Sequence, residues 1–115
     1  MNHTKRQWGL YQVLYDNFRD VKVKVLIVLP GKKLSMQRHF KRSEHWFVEN
    51  GTAKLYTLSY DGDRMLKGIY NKYDHIHIDC ESWHQLANDE DTELKIVEIQ
   101  YGQKCEEEDI ERKDN

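Results

Sequence analysis

Several features that mark specialised proteins are missing from this chain of 115 residues. No apolar stretch approaches the roughly 20 residues that a membrane-spanning helix requires, and the first residues lack the apolar core of a secretion signal. The two cysteines, Cys80 and Cys105, stand at no recognisable spacing, which favours reduced thiols over a disulfide. We therefore expect a cytoplasmic protein that does not associate with a membrane.

An excess of charge of one sign is also lacking. The formal net charge is -2 although 33% of the residues are charged, and both signs are interspersed. This balance excludes a basic nucleic-acid-binding protein and is typical of ordinary globular domains. Internal repeats, low-complexity linkers and a glycine-rich phosphate loop are absent from the sequence. The length fits one domain, residues 1–115.

Helical patterns are scarce, and short strands dominate the prediction. With a single proline and turn signals roughly every 8 to 12 residues, the chain is typical of an antiparallel barrel or sandwich. The predicted strands cover residues 8–15, 21–29, 53–60, 65–70, 74–79, 83–87 and 94–101. The helix candidate is the highly charged tail, residues 106–113, which would dock through Ile110 alone or fray.

Alternation within two strands predicts which side chains share a face. In residues 21–25 valine alternates with Lys22 and Lys24, so we expect the valines to face the core and both lysines to face solvent. In the strand at 74–79, His77 lies on the opposite face from the isoleucines. A histidine on such a face is most often exposed or hydrogen-bonded, although a functional role stays open.

The stretch between residues 31 and 51 organises the rest of the chain. It opens with a Pro30-Gly31 turn and closes with Asn50-Gly51, the strongest short hairpin signal that a sequence carries. Between these two turns the chain concentrates residue types that bind metal ions. This arrangement predicts a functional site bracketed by tight turns.

Four side chains form a candidate metal-ligand set. Gln37 and His39 are two residues apart, so on an extended strand they project from one face. Glu44 follows in the same stretch, and His84 comes much later, directly after Trp83. An ordinary polar sheet face would have the same residue types, but mixed nitrogen and oxygen donors at this spacing favour a metal site with room for water or substrate.

The spacing of these residues resembles the cupin motifs. The first motif matches as Gly31, Gln37, His39, Glu44 and Gly51, with Gln37 in place of the usual leading histidine, and the end of the second matches as His84 and Asn88. A closer resemblance, to the cupin domain of type II phosphomannose isomerases, rests on RQWGLY (6–11), PGKKLSMQ (30–37), EHW (44–46), GTA (51–53), WH (83–84) and VEIQ (97–100).

The resemblance implies an all-β cupin, a double-stranded β-helix or jelly-roll barrel with a short charged C-terminal tail. It also implies one divalent metal ion, zinc, manganese, iron, cobalt or nickel, that assists the interconversion of mannose 6-phosphate and fructose 6-phosphate in GDP-mannose biosynthesis. In this family the domain often follows a GDP-mannose pyrophosphorylase domain, and the present sequence covers only the cupin part. By resemblance we expect a homodimer that pairs through the aromatic strand near Trp8.

Isomerisation of a sugar phosphate also requires a base and cations. Glu98 is the first candidate for the base, because it lies on the opposite strand face from Val97 and Ile99 and would point into the barrel. His77 is the second candidate. Cations near the barrel mouth would meet the phosphate, with Arg112 counted among the catalytic candidates. The proposed substrate-binding residues are Lys33, Arg38 and Arg42.

The sequence departs from the family pattern in two places. In the second motif Tyr73, Asp79 and Glu81 replace Gly, Pro and Gly, so we expect the turn before His84 to be built differently. The family's usual terminal Arg-Tyr-Gly-Arg has no counterpart after Arg112. The alternative function is therefore a non-catalytic or differently specific metal-binding cupin that binds a sugar phosphate or a nucleotide sugar.

Overall fold

Eleven β-strands and no helix make up the regular structure of residues 3–113, the part of the chain that the computed structural model describes. The strands are β1 His3–Arg6, β2 Gly9–Asp16, β3 Val21–Val28, β4 Met36–Arg38, β5 Arg42–Asn50, β6 Ala53–Leu58, β7 Arg64–Tyr70, β8 His75–Ile78, β9 Gln85–Ala87, β10 Leu94–Gly102 and β11 Glu111–Lys113. None of these described segments is a helix long and apolar enough to span a membrane.

Two antiparallel sheets enclose the core. The larger sheet has the order β1-β2-β3-β10-β5-β8, and the smaller has the order β7-β6-β9. A short ribbon, β11-β4, adds a third element. The core lies between the two sheets, since its buried residues come from both: Leu26, Val28, Trp46, Val48, Ala53, Leu55, Ile76, Ile78, Leu86, Leu94 and Ile96.

The inward face of the larger sheet changes from polar to apolar along its strands. Three buried rows cross β3, β10 and β5 in direct register. In that strand order, the first row is Lys22, Gln100 and Glu44, the second is Lys24, Glu98 and Trp46, and the third is Leu26, Ile96 and Val48. The polar rows therefore form one end of the interior and the apolar row belongs to the core.

The prediction that Lys22 and Lys24 face solvent is wrong. Both lysines are buried, at 8% and 5% exposure, while Val21 and Val23 are only half-buried. Alternation assigned the two faces of the strand correctly but not which face is inside. The lysines can lie inside because the interior is polar at this end and because Glu107 pairs with both ammonium groups.

The predicted helix at residues 106–113 is also wrong. The C-terminal segment, residues 103–113, forms a turn followed by β11, which pairs with β4. It docks through Asp109 and Glu107 as well as Ile110. Its charged side chains find partners on the barrel rather than on neighbouring helical turns, and these long-range contacts outweigh helix propensity.

The Asn50-Gly51 turn joins the two sheets and does not close a hairpin. β5 and β6, on either side of it, belong to different sheets. Gly51 has a φ of +89°, and a Cβ added there would lie 2.8 Å from the main-chain oxygen of Glu93. A glycine is therefore required both by the left-handed backbone and by the close packing. A hairpin forms instead at the turn that contains Gly62, where β6 and β7 pair directly.

Candidate functional site

A cavity of about 410 Å³ occupies the polar end of the interior. Strands β3, β5 and β10 of the larger sheet form much of its wall, and β1, β2, β4, β9, adjoining loops and the C-terminal segment contribute the rest of its lining. Every side chain of the two polar rows except Lys22 lines this space.

His39, Glu44 and His84 converge in this cavity. One potential ligand atom from each residue lies within 4.8 Å of those of the other two, and all three residues are buried. Nε2 of His39 is 3.2 Å from Glu44 Oε2, and Nε2 of His84 is 3.9 Å from Glu44 Oε1. Gln37 lines the same cavity, and its main chain exchanges two hydrogen bonds with that of His84.

The hydrogen bonds of the two imidazoles fix their tautomers. Nδ1 of His39 lies 2.7 Å from the main-chain oxygen of Asp109, and Nδ1 of His84 lies 3.0 Å from that of Ser82. A carbonyl oxygen only accepts, so each Nδ1 carries the proton and each Nε2 keeps its lone pair. Burial, with a smaller contribution from the Arg42 guanidinium, lowers the pKa of both imidazoles to about 4, so both are neutral near pH 7.

This donor set fits a divalent metal ion. Two neutral imidazole nitrogens and the Glu44 carboxylate face one another, which is the arrangement that zinc and other first-row ions bind. Main-chain carbonyls behind the ligating histidines are the usual support in such sites. The side-chain amide of Gln37 would add an oxygen donor. The structure thus contains a possible His/Glu metal site.

Arg42 lies beside this donor set rather than at the predicted position near the mouth. It is 6% exposed, and its Nη2 lies 3.2 Å from both Glu44 Oε2 and His39 Nε2. Trp46 Nε1 donates to the other oxygen of Glu44 at 2.9 Å. The Glu44 carboxylate is therefore held in place by two fixed donors.

Glu98 points into the interior, as its place in the strand predicted. It is 6% exposed and lines the cavity, and Gln100 Nε2 donates a hydrogen bond of 2.7 Å to its Oε1. Burial, reinforced by the nearby Glu44 carboxylate, raises the pKa of Glu98 above its ordinary value. A carboxyl group with a raised pKa beside a cavity suits general acid–base chemistry.

His77 does not reach the cavity, so its prediction as a second base is wrong. Ile76 and Ile78 on β8 are buried, which places His77 on the outer face of the sheet. Its side chain is 49% exposed, and Nε2 lies 2.8 Å from an oxygen of Asp79. The alternation that puts two isoleucines in the core excludes the histidine between them.

The remaining predicted cations divide between the cavity and the surface. Lys33 and Arg112 line the cavity. Arg38 instead forms an ion pair of 2.7 Å with Glu111, and its guanidinium lies 4.7 Å from the centroid of the Trp83 ring. Arg38 therefore joins β4 to β11 outside the cavity, which differs from the predicted substrate contact.

Two non-glycine residues adopt the backbone that the family pattern gives to glycine. Tyr73 and Glu81 have φ values of 77° and 69°, in the left-handed region that side chains disfavour. Residues with a Cβ therefore carry the conformational cost of these left-handed positions, and one of them, Glu81, lies in the turn before His84.

Sequence reasoning missed three cavity or support residues. Lys24 lines the cavity, Glu107 reaches it from the C-terminal segment, and Asp109 holds the main chain next to His39. The alternation of lysine with valine in β3 was the available signal for Lys24, but the face that carries the lysines was predicted to be exposed to solvent. Glu107 and Asp109 lie in a run of acidic residues where spacing distinguishes no single member.

The two sheets and the histidine and glutamate cluster between them define a cupin, a double-stranded β-helix with a possible metal site. More closely, the chain belongs to the family described as mannose-6-phosphate isomerase C-terminal, whose model matches residues 1–115. The fold also matches a Klebsiella pneumoniae protein with a double-stranded β-helix domain, at a TM-score of 0.74 and 14% identity over 90% of this chain and 83% of that one.

Curated relatives are much longer proteins. The alginate biosynthesis protein AlgA of Pseudomonas aeruginosa is 38% identical over 113 residues, which are 96% of this chain and 22% of that protein. A mannose-1-phosphate guanylyltransferase of Sinorhizobium fredii is 39% identical over 107 residues, 93% of this chain and 20% of that protein. The chain thus spans about a fifth of the length of the relatives it matches.

Proposed function

We propose that this domain interconverts mannose 6-phosphate and fructose 6-phosphate with a divalent metal ion as its cofactor. The observation that supports this most strongly is the convergence of His39, Glu44 and His84 with the buried Glu98 in one cavity. Membership of a family described by mannose-6-phosphate isomerase suggests the substrate. The reaction would belong to GDP-mannose formation, in keeping with a relative named mannose-1-phosphate guanylyltransferase.

The metal would be held by Nε2 of His39 and His84, the Glu44 carboxylate and the side-chain oxygen of Gln37. Mixed nitrogen and oxygen ligands suit zinc, manganese, iron, cobalt and nickel. When bound, the ion would stabilise the negative charge that develops on the sugar oxygens at C1 and C2.

Glu98 is the proposed base. In the open-chain sugar it would accept the proton from C2 and return it to C1, while the hydroxyl proton passes from O2 to O1. No atom is gained or lost, and Glu98 ends in its starting state. Its buried position and its hydrogen bond from Gln100 support a fixed orientation toward the cavity. Gln100 Oε1 is buried with no hydrogen-bond partner in the described chain, which suits a contact with a sugar hydroxyl.

The charge of the cavity supports an anionic substrate. Its ionisable lining, apart from histidine, comprises five cations and three carboxylates: Arg6, Lys24, Lys33, Arg42 and Arg112, and Glu44, Glu98 and Glu107. The cations therefore outnumber the carboxylates by two even when every carboxylate is ionised. An excess of positive charge in a concave site attracts and orients phosphate, and Lys33 and Arg112 would contribute to this attraction.

A coupled assay of fructose 6-phosphate formation from mannose 6-phosphate, run with each of the five metals, tests the proposal. Glu98→Gln should lower kcat at least about 100-fold while leaving metal content unchanged. Glu93→Gln provides a matched control, because Glu93 is exposed. Absence of turnover with all five metals in a folded, metal-loaded protein would contradict the proposed reaction.

The position of Arg42 favours a second candidate, a sugar-phosphate or nucleotide-sugar binding module without catalysis. Its guanidinium lies 3.2 Å from both His39 Nε2 and Glu44 Oε2, where it competes with a metal ion for these donors. Calorimetry with mannose 6-phosphate distinguishes the two functions. Binding that needs no added metal, together with absent turnover, would support the binding module.

We also propose that the domain forms a homodimer through the larger sheet. Trp8, the residue around which pairing was predicted, packs partly buried against the core. The exposed apolar residues Leu14, Tyr15 and Phe18 lie at the far end of β2 and just beyond it, so the contact should shift there. Size-exclusion chromatography with light scattering tests this: Leu14→Glu should convert a dimer to a monomer, whereas Leu66→Glu on the other sheet should not.

A further inference from the structure

A pair of buried lysines lies at the polar end of the interior. Lys24 is 5% exposed and Lys22 is 8% exposed. Burial of an ammonium group is costly unless a carboxylate or another polar partner compensates it. Both ammonium groups share one carboxylate oxygen, Oε1 of Glu107, at 2.6 Å from Lys24 and 3.4 Å from Lys22. Asp16 adds a more distant contact to Lys22, at 3.6 Å.

The shared carboxylate comes from a different part of the fold and is not enclosed. Glu107 belongs to the C-terminal segment, and its side chain is 52% exposed. Burial opposes its ionisation, but the ammonium groups of Lys24 and Lys22 prevail and lower the pKa of Glu107 to about 2. A half-exposed carboxylate can rotate into solvent, whereas the buried lysines cannot follow it. The lysine pair therefore keeps its place when the carboxylate leaves.

Lys24 and the candidate metal ligands line the same cavity, with Lys24 and Glu44 on different strands of the larger sheet. Lys24 is on β3, opposite Glu98 on β10, and Glu98 is in turn opposite Trp46 on β5, the strand that carries Glu44. Glu98 thus lies on the strand between Lys24 on one side and the candidate metal ligand Glu44 on the other. The Tyr11 ring covers Lys24, with its centroid 4.2 Å from Nζ, and also lines the cavity.

We infer that Lys24, supported by Lys22, is an anion subsite for the phosphate group of the ligand, and that Glu107 occupies this subsite until the phosphate displaces it. The inference rests on the proposed function for the identity of the ligand as a sugar phosphate. A ligand with its phosphate at Lys24 and its carbonyl end at His39, Glu44 and His84 would pass Glu98, which has to face C1 and C2 to act as the base. Glu107 acts as an internal competitor, so its removal should tighten binding.

Binding of inorganic phosphate to the full chain, followed by calorimetry at constant ionic strength, tests this inference without using turnover. Glu107→Gln should bind phosphate about tenfold more tightly, within the range typical of coupling between two sites. Lys24→Met should bind it at least about tenfold more weakly, and Lys24→Arg should restore most of the affinity. Glu108→Gln is the matched control, because Glu108 is an exposed neighbour in the same segment.

Equal phosphate affinity in the parent, Glu107→Gln and Lys24→Met, each shown folded by circular dichroism, would overturn the inference. If Lys24→Met does not fold, Glu107→Gln alone decides, since its half-exposed side chain can be changed without opening the core. Failure of the isomerase assay with the predicted affinity pattern intact would remove the proposed reaction and leave the subsite. Turnover with an unchanged KM in Lys24→Met would remove the subsite and leave the reaction.

Discussion

Nδ1 of His39 donates a hydrogen bond of 2.7 Å to the main-chain oxygen of Asp109, 70 residues further along the chain. The Asp109 carboxylate accepts hydrogen bonds from the main-chain N–H groups of Phe40 and Lys41, each 2.9 Å long. These three contacts lock the C-terminal segment to the residues that position His39. The orientation of a candidate metal ligand therefore depends on a segment that contributes no ligand of its own.

Asp109→Asn should weaken metal binding. An asparagine accepts through only one oxygen and turns an N–H₂ toward one of the two main-chain donors, so His39 loses its fixed support. We expect about tenfold weaker binding of zinc or manganese, as for other residues behind metal ligands, and a loss of about 1–3 kcal/mol in the free energy of unfolding. Calorimetric titration and urea denaturation measure the two effects. Glu108→Gln should change neither, and undiminished metal affinity in Asp109→Asn would contradict the positioning role.

The purified domain should contain close to one divalent metal ion per chain, and His84→Ala should remove it. Loss of one imidazole from a three- or four-ligand site should weaken binding at least about 100-fold. Elemental analysis after gel filtration measures the occupancy. His77→Ala is the matched control, because His77 lies on the outer face of the same barrel. Retention of the metal in His84→Ala, or its loss in His77→Ala, would remove the proposed site.

The residues around the candidate metal site were the most predictable part of the molecule. Gln37 and His39 share a face because alternate residues of an extended strand do so in any fold, and Glu98 was placed inside on the same ground. Local pattern could not decide which face of β3 is the interior, so Lys24 was assigned to solvent. Which face is buried depends on the partners that distant parts of the chain provide. Here the partner of Lys24 is the Glu107 carboxylate, 83 residues further along the chain.

The tail shows a second limit of local reasoning. Its charge density suggested a frayed helix, yet Glu107, Asp109 and Glu111 each bind a different part of the barrel. A helix would satisfy these carboxylates only with neighbouring turns or water, whereas the barrel offers buried cations and free main-chain N–H groups. Partners that become available only after the sheets have formed cannot be read from spacing within the tail.

The ion pairs of Glu107 should make stability depend on pH in acid. Because its pKa is about 2 in the folded chain against an ordinary value of 4.5, Glu107 contributes its full stabilisation above about pH 4.5. That contribution should decline as the pH falls from about 4.5 to about 2. The difference in unfolding free energy between the parent and Glu107→Gln should therefore be largest at pH 6 and shrink by pH 3. A difference that is constant across this range would contradict the ion-pair contribution.

Glu81→Gly should stabilise the protein. Glu81 has a φ of 69°, and a left-handed conformation costs a residue with a Cβ about 1–2 kcal/mol. Glycine removes this cost but increases the entropy lost on folding, so the net gain should be about 0.5–1 kcal/mol. Urea denaturation measures it, with Glu81→Ala as the control, since alanine removes the exposed carboxylate and keeps the Cβ. Equal stability of the glycine and alanine variants would show that the backbone at this turn carries no strain and would contradict the prediction.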